Sequence, residues 1–130
     1  MASPPSEWKE REMPHEPIRG AQARGRFGES EAARWYIRNG YEVVARNWRC
    51  AMGEIDLVVS APGLVVFCEV KARAGDGFGG PQGAVDRRKQ LRVRRAAAMW
   101  LSEHRPGAVT VRFDVAAVVG ARVEMIESAF

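Results

Sequence analysis

Two apolar runs, Ile55 to Val59 and Leu64 to Val70, flank the turn-forming stretch Ser60-Ala61-Pro62-Gly63, and this pattern predicts a β-hairpin. With the turn centred between Ala61 and Pro62, Val59 faces Leu64 and Asp56 faces Phe67. Strand side chains alternate with period two, so Asp56 then shares a sheet face with Phe67, Glu69 and Lys71. The opposite face carries Ile55, Leu57, Val59, Val66, Cys68 and Val70, an apolar set suited to packing under a helix.

Helical spacing flanks the hairpin on both sides. From Gly28 to Asn39 the residues Ala32, Ala33, Tyr36 and Ile37 recur at helix intervals, and Asn39-Gly40 is a fitting stop. Tyr41 to Cys50 alternates loosely and reads as a first strand leading into the hairpin. Within it, Trp48 either packs or stacks on a nucleic-acid base, and Arg49 has the charge to neutralise a phosphate. A second helix is expected from about Asp86, an N-cap, to about His104, ended by Pro106-Gly107. Gln90, Val93, Ala97, Trp100 and Leu101 fall on one stripe of it, and Arg88, Arg92 and Arg95 on another. Gln90, the polar member of the packing stripe, either looks into a site or satisfies a backbone group. Val111 to Val118 and Arg122 to Ile126 read as two further strands joined by Val119-Gly120-Ala121. Asp114 interrupts the first of them and is expected to pair with Arg112 or with a base from a neighbouring strand.

Composition narrows this picture. At 130 residues the chain suits one domain with a single core. Residues 1–24 hold Pro4, Pro5, Pro14 and Pro17 among charges with no apolar period, and are expected to form a disordered leader before a single domain over 25–130. The leader has no apolar core of a secretory signal, and no later segment approaches a membrane span, so a cytoplasmic protein without a membrane partner is expected. Two cysteines, Cys50 and Cys68, fit neither a disulfide framework nor a zinc pattern. His15 and His104 do not sit in catalytic settings, which argues against Ser-His or Cys-His chemistry.

The net charge of +4 falls wholly on the domain, because Glu7, Glu10, Glu12 and Glu16 cancel Lys9, Arg11, Arg19 and Arg24 in the leader. Much of the excess lies in Arg87, Arg88, Lys89, Arg92, Arg94 and Arg95, a cluster that is either a phosphate-binding face or a solvated helix face. Between the hairpin and this cluster runs Gly75-Asp76-Gly77-Phe78-Gly79-Gly80-Pro81-Gln82-Gly83, either a flap over a site or a linker. It lacks the closing Lys-Ser or Lys-Thr of a P-loop.

The candidate chemistry lies in Gly53-Glu54-Ile55-Asp56 and Glu69-Val70-Lys71. Two carboxylates about 4 Å apart repel by roughly 4 kcal/mol at an effective dielectric near 20, and a hard divalent cation relieves that repulsion. Asp56, Glu69 and the carbonyl of Val70 would suffice as protein ligands for Mg2+ or Mn2+, with waters completing the shell. Lys71 would then orient or deprotonate a water, or stabilise charge developing on a phosphate. The plain alternative is an ion pair between Lys71 and either acid. Glu29, in the first turn expected for the first helix, either complements the helix dipole or projects toward the hairpin as a third acidic group.

The spaced motifs Gly28-Glu29, Gly40-Tyr41, Arg46-Asn47, Gly53-Glu54-Ile55-Asp56-Leu57, Phe67-Cys68-Glu69-Val70-Lys71-Ala72-Arg73, Phe78-Gly79, Ala84-Val85-Asp86, Lys89-Gln90 and Arg112-Phe113-Asp114-Val115, with the closing Ala129-Phe130, closely resemble the bacterial YraN family. That family is similar in fold to the PD-(D/E)XK nuclease superfamily, which includes restriction enzymes and Holliday-junction resolvases. The resemblance implies an α/β, restriction-endonuclease-like sandwich with a central mixed β-sheet of about five strands flanked by helices. It also implies a metal at Asp56 and Glu69, a catalytic lysine at Lys71, and at Glu29 the acidic residue that such resolvases carry on their first helix. Gln90 is similar to a glutamine of RecB-like nucleases, although Arg94 stands where those have tyrosine, and Ile55 replaces the proline of Pro-Asp.

The expectation is therefore a Mg2+- or Mn2+-dependent endonuclease that hydrolyses phosphodiester bonds in structured or branched nucleic acid, with DNA preferred over RNA. Asp56, Glu69, Lys71 and Glu29 would act in catalysis, and Arg88, Arg92, Arg95 and Gln90 would bind the nucleic acid. The alternative is a non-catalytic nucleic-acid-binding module that retains the fold. A two-stranded junction substrate would call for two sites and hence a homodimer.

Overall fold

In the computed structural model, which describes residues 20–73 and 85–130, the elements run α1 (Gly20–Arg38), β1 (Glu42–Cys50), β2 (Gly53–Ala61), β3 (Leu64–Arg73), α2 (Arg87–His104), β4 (Thr110–Val119) and β5 (Arg122–Ile126). The five strands form one mixed sheet in sequence order, antiparallel except for the parallel pair β3–β4. Parallel neighbours require a crossover, and α2 supplies it. The helices cover opposite faces of the sheet, giving the α/β sandwich architecture expected of a restriction-endonuclease-like fold.

The two faces divide the core. Against α1, Ala32, Ala33 and Tyr36 pack on Leu57, Val59, Val66, Cys68 and Ala116. On the other side, Val93, Ala96, Ala97 and Trp100 of α2 pack on Val44, Ala45, Trp48, Ile55, Val58, Val65, Phe67 and Phe113. Asp86 caps α2 by accepting a hydrogen bond from Lys89 N at 2.8 Å, and Arg105 closes it in the left-handed conformation just before Pro106. The helix α1 begins at Gly20, ahead of the expected start at Gly28, because Ala21, Gln22, Ala23 and Arg24 all favour helix. The rest of the expected leader, and the glycine-rich stretch 75–83, lie outside the described residues.

The β2–β3 register differs from the expected one by two residues. Val59 pairs with Val66 and Ala61 with Leu64, so Pro62 and Gly63 alone form the turn. Proline presets the first turn position and Gly63, at φ +71°, accommodates the second. A displacement of two leaves every side chain on its face, whereas a displacement of one would invert them all. Its effect is to bring Asp56 level with Glu69 instead of Phe67.

Ile55 also departs from expectation. It packs with Val58 and Phe67 on the α2 side, away from Leu57 and Val59. The cause lies on the neighbouring strand, where Asn47 adopts φ +52° between the pairs Arg46–Leu57 and Trp48–Ile55. This left-handed residue breaks the period-two alternation and turns Trp48 and Ile55 together into the α2 core. Trp48 is thereby a packing residue, 6% exposed and edge-on to His104.

Under α1, Asp114 is fully buried and held by four donors: Tyr36 Oη at 2.6 Å, Arg112 Nε and Nη2 at 2.9 Å each, and Ser128 N at 3.1 Å. Of the two partners expected for it, Arg112 is the one observed, and Arg112 also donates to Tyr41 Oη at 3.0 Å. This network ties α1 and the turn at Ser128 to β4. Gly28 sets the approach of α1 to β3, since a Cβ there would stand 3.0 Å from Ala72 Cβ and 3.5 Å from Val70 Cγ1.

Two stability predictions follow from this packing. Arg112→Ala removes two of the four donors and the counter-charge from the buried Asp114 carboxylate and is expected to cost about 3–5 kcal/mol in urea denaturation. Gly28→Val forces α1 away from β3 and is expected to cost about 1–3 kcal/mol by the same measurement, while Gly28→Ala stays close to neutral because helix propensity offsets the tighter contact.

Candidate functional site

Beyond the Leu57–Cys68 pair the β2–β3 ladder gives way to side-chain bonds. Val70 N donates to Asp56 Oδ2 at 2.9 Å, and Asp56 N makes a longer contact to Glu69 Oε2 at 3.4 Å. Each acid thus accepts from the backbone of the strand opposite. The two carboxylates are drawn together in the interior, with Asp56 9% and Glu69 1% exposed.

Glu69 follows Phe67 on the α2 face of β3. Phe67 meets Trp100, and Glu69 meets Lys89 in the first turn of the helix, with Nζ 3.2 Å from Oε1. Lys71 is half-buried further along the strand, close enough to act on Asp56 and on Lys89. Glu29 arrives from α1 on the opposite side and accepts a hydrogen bond from Asn47 Nδ2 at 2.9 Å. The backbone turn at Asn47 that redirects Trp48 therefore also places the amide that holds Glu29.

The electrostatics follow from burial. Desolvation, reinforced by Asp56, pushes the Glu69 carboxyl up to about 7 against the moderating effect of Lys89. Desolvation also pushes Glu29 up to about 7; the Asn47 hydrogen bond opposes this and the charge of Asp56 adds to it. The Asp56 carboxyl is raised by desolvation too, although Val70 N and the charge of Lys89 work the other way. Burial lowers the affinity of Lys89 for its proton, but the charges of Glu69 and Asp56 outweigh it and leave that ammonium more firmly protonated than an ordinary lysine.

The structure thus brings Asp56, Glu69 and Lys71 together, with Glu29 near Asp56 across the sheet. Among the described residues no three His, Cys, Asp or Glu side chains are close enough to hold a metal by themselves. Two hard carboxylates whose burial raises their proton affinity nevertheless fit a magnesium-type ion, which takes one or two protein carboxylates and keeps several waters. Glu69 Oε1 would have to be released by Lys89 for this to occur.

The arginines are separate from the acids. Arg88, Arg92 and Arg95 are exposed on α2, and the Cβ of Arg92 lies 3.7 Å from where a Gly53 Cβ would stand, at the start of the strand carrying Asp56. Gln90 does not project into the acids; its side-chain amide donates to the carbonyl of Val85 at 3.1 Å, the backbone-satisfying role of the two expected. Sequence reasoning placed Lys89 in the basic cluster and in the Lys89-Gln90 motif, and did not bring it to the acids. Its signal was phase: Lys89, Val93, Ala96 and Trp100 recur at helical spacing, so Lys89 belongs to the stripe facing the sheet.

Among the described residues no helix is long and apolar enough to cross a membrane. The model of the family described as "Uncharacterised protein family UPF0102" matches residues 28–118. The chain is similar to UPF0102 proteins of Frankia casuarinae (48% identity, covering 87% of this chain and all of the relative) and Beutenbergia cavernae (50% identity, covering 81% and 89%). A UPF0102 protein of Moorella thermoacetica is 43% identical over 82% of this chain and 94% of its own. The match begins at Gly28, where α1 meets β3, and runs through every acid and lysine of the site; the chain belongs to the UPF0102 family, the YraN family that its motifs resemble.

Proposed function

We propose that this protein is a Mg2+- or Mn2+-dependent endonuclease that hydrolyses phosphodiester bonds in nucleic acid, with structured or branched DNA as the expected substrate. The observation that carries this reading is the pair Asp56 and Glu69, buried on adjacent strands and each bonded to the other strand's backbone, with two lysines beside them. Such a pair is unfavourable in the interior without a cation. The resemblance to PD-(D/E)XK nucleases supports the same reading.

Asp56 and Glu69 would hold the ion, which when bound supplies positive charge at the scissile phosphate and acidifies an attacking water. Lys71 steadies the negative charge that builds on the phosphate oxygens as water adds and the ester oxygen leaves. Glu29, raised to about 7, is poised to take up or release a proton near neutral pH. Arg88, Arg92 and Arg95 grip backbone phosphates without reading sequence.

A second reading is a nucleic-acid-binding module that does not cut. It is favoured by the ion pair that Lys89 already makes with Glu69, which neutralises an acid without any metal.

A cleavage panel over branched, duplex and single-stranded DNA and RNA, with Mg2+ or Mn2+, separates the two. Asp56→Asn, Glu69→Ala and Lys71→Ala are each expected to lower the cutting rate by at least about 100-fold, while Lys71→Ala leaves DNA affinity within a few-fold. Cutting that persists unchanged in Asp56→Asn would remove the enzymatic reading, and salt-sensitive binding indifferent to metal would favour the module.

The raised acids also predict a pH dependence. Glu29 and Glu69 keep protons in the folded chain up to about 7, whereas the unfolded chain releases them near the ordinary value of 4.5. The folded state therefore binds more protons within that window, and metal-free stability falls as pH rises through it. Thermal melts in EDTA should show this contribution as a lower melting temperature at about pH 8 than at about pH 5. The drop should shrink in the Glu29→Gln, Glu69→Gln double variant.

A further inference from the structure

The acids at the end of β2 and β3 already hold a cation, and it belongs to the chain. Lys89 Nζ sits 3.2 Å from Glu69 Oε1, with the lysine side chain 31% exposed and the glutamate 1%. Its charge reaches Asp56 as well. The backbone of Lys89 is fixed, since its N–H is the donor to the Asp86 cap. The four-carbon stem is not fixed in that way and offers a path from the acids to solvent by rotation about its single bonds.

A divalent ion between Asp56 and Glu69 would need the oxygen that Lys89 now occupies, and two cations cannot share so small a space without strong repulsion. Occupancy by one therefore excludes the other. Resting on the reading of Asp56 and Glu69 as metal ligands, we propose that Lys89 is a tethered counter-ion that caps this acid pair, that a divalent cation must displace it, and that Lys89 thereby sets the affinity of the site for Mg2+ or Mn2+.

This differs from a plain structural ion pair in the sign of one effect. A structural lysine stabilises the chain with or without metal, and its loss weakens both states. A competing counter-ion stabilises only the metal-free state, so its removal weakens the free protein and strengthens metal binding.

The test is Mn2+ binding to the full chain, followed by electron paramagnetic resonance of the free ion, alongside thermal melts in EDTA and in Mn2+. Lys89→Met and Lys89→Gln are expected to melt lower than the unmodified chain in EDTA, to bind Mn2+ at least about tenfold more tightly, and to gain more from added Mn2+. Lys89→Arg should stay close to the unmodified chain, and Glu69→Gln should lose binding. In the unmodified chain, the NMR signal of the Lys89 ammonium should move on titration with Mg2+ over the same concentrations that move the Asp56 and Glu69 carboxyl carbons. Equal or weaker Mn2+ binding in both lysine variants, or a Lys89 signal indifferent to Mg2+ that moves both carboxyls, would overturn the counter-ion role and leave the metal site standing. Absence of Mn2+ binding in the unmodified chain and in both variants would overturn the metal site and this proposal together.

Discussion

The register between β2 and β3 is the constraint on which the candidate site depends. A two-residue Pro62-Gly63 turn starts the pairing at Ala61 and Leu64, and counting along the ladder from there carries Asp56 to the level of Glu69. At that point the strands stop exchanging only backbone bonds, and each acid takes an amide from the opposite strand. The acids are therefore part of how the two strands hold together as well as candidates for chemistry. A slip of one residue would break this cross-strand exchange and turn the apolar set outward, so the hydrophobic core and the acid pair enforce the same alignment.

Two supports bring other groups to that alignment. From one side, the close approach of α1 at Gly28 carries Glu29 toward the sheet, and the buried Tyr36–Asp114–Arg112 network keeps the same helix seated on β4. From the other side, α2 lies chiefly over β2 and β1 and reaches the neighbouring strand β3 through side chains, with Trp100 on Phe67 at one end and Lys89 on Glu69 at the other. The site thus sits where both helices meet the sheet. Asn47 serves both sides, since its left-handed backbone turns Trp48 and Ile55 into the α2 core and its amide holds Glu29.

Such an arrangement keeps three carboxyls in a poorly hydrated place, and this is electrostatically expensive. Backbone amides, the Asn47 side chain and the lysines Lys89 and Lys71 offset part of that cost; the remainder appears as raised proton affinity at Glu29, Asp56 and Glu69. The exposed arginines of α2 add a positive surface to a chain whose net charge is +4.

Much of this was legible in the chain itself. Among the described residues, period-two and helical spacing marked all five strands and both helices, the Asp86 cap and Pro106-Gly107 bounded α2, and the motif around Glu69 and Lys71 marked the chemistry, because these signals are local or nearly so. The sequence by itself also placed Asp56, Glu69 and Lys71 on one face, since face depends only on parity, which the two-residue difference in register left intact. What only the tertiary structure decided depends on contacts between distant segments. Lys89 reached Glu69 because α2 settles on that face of the sheet, Glu29 was held because Asn47 turned left-handed on a neighbouring strand, and Asp114 gained Tyr36 beside its local partner Arg112 because α1 closed over the sheet. A pattern of residue types specifies which side chains can share a face; which of them meet is decided by how the helices settle on the sheet, where burial and charge are balanced across the whole fold.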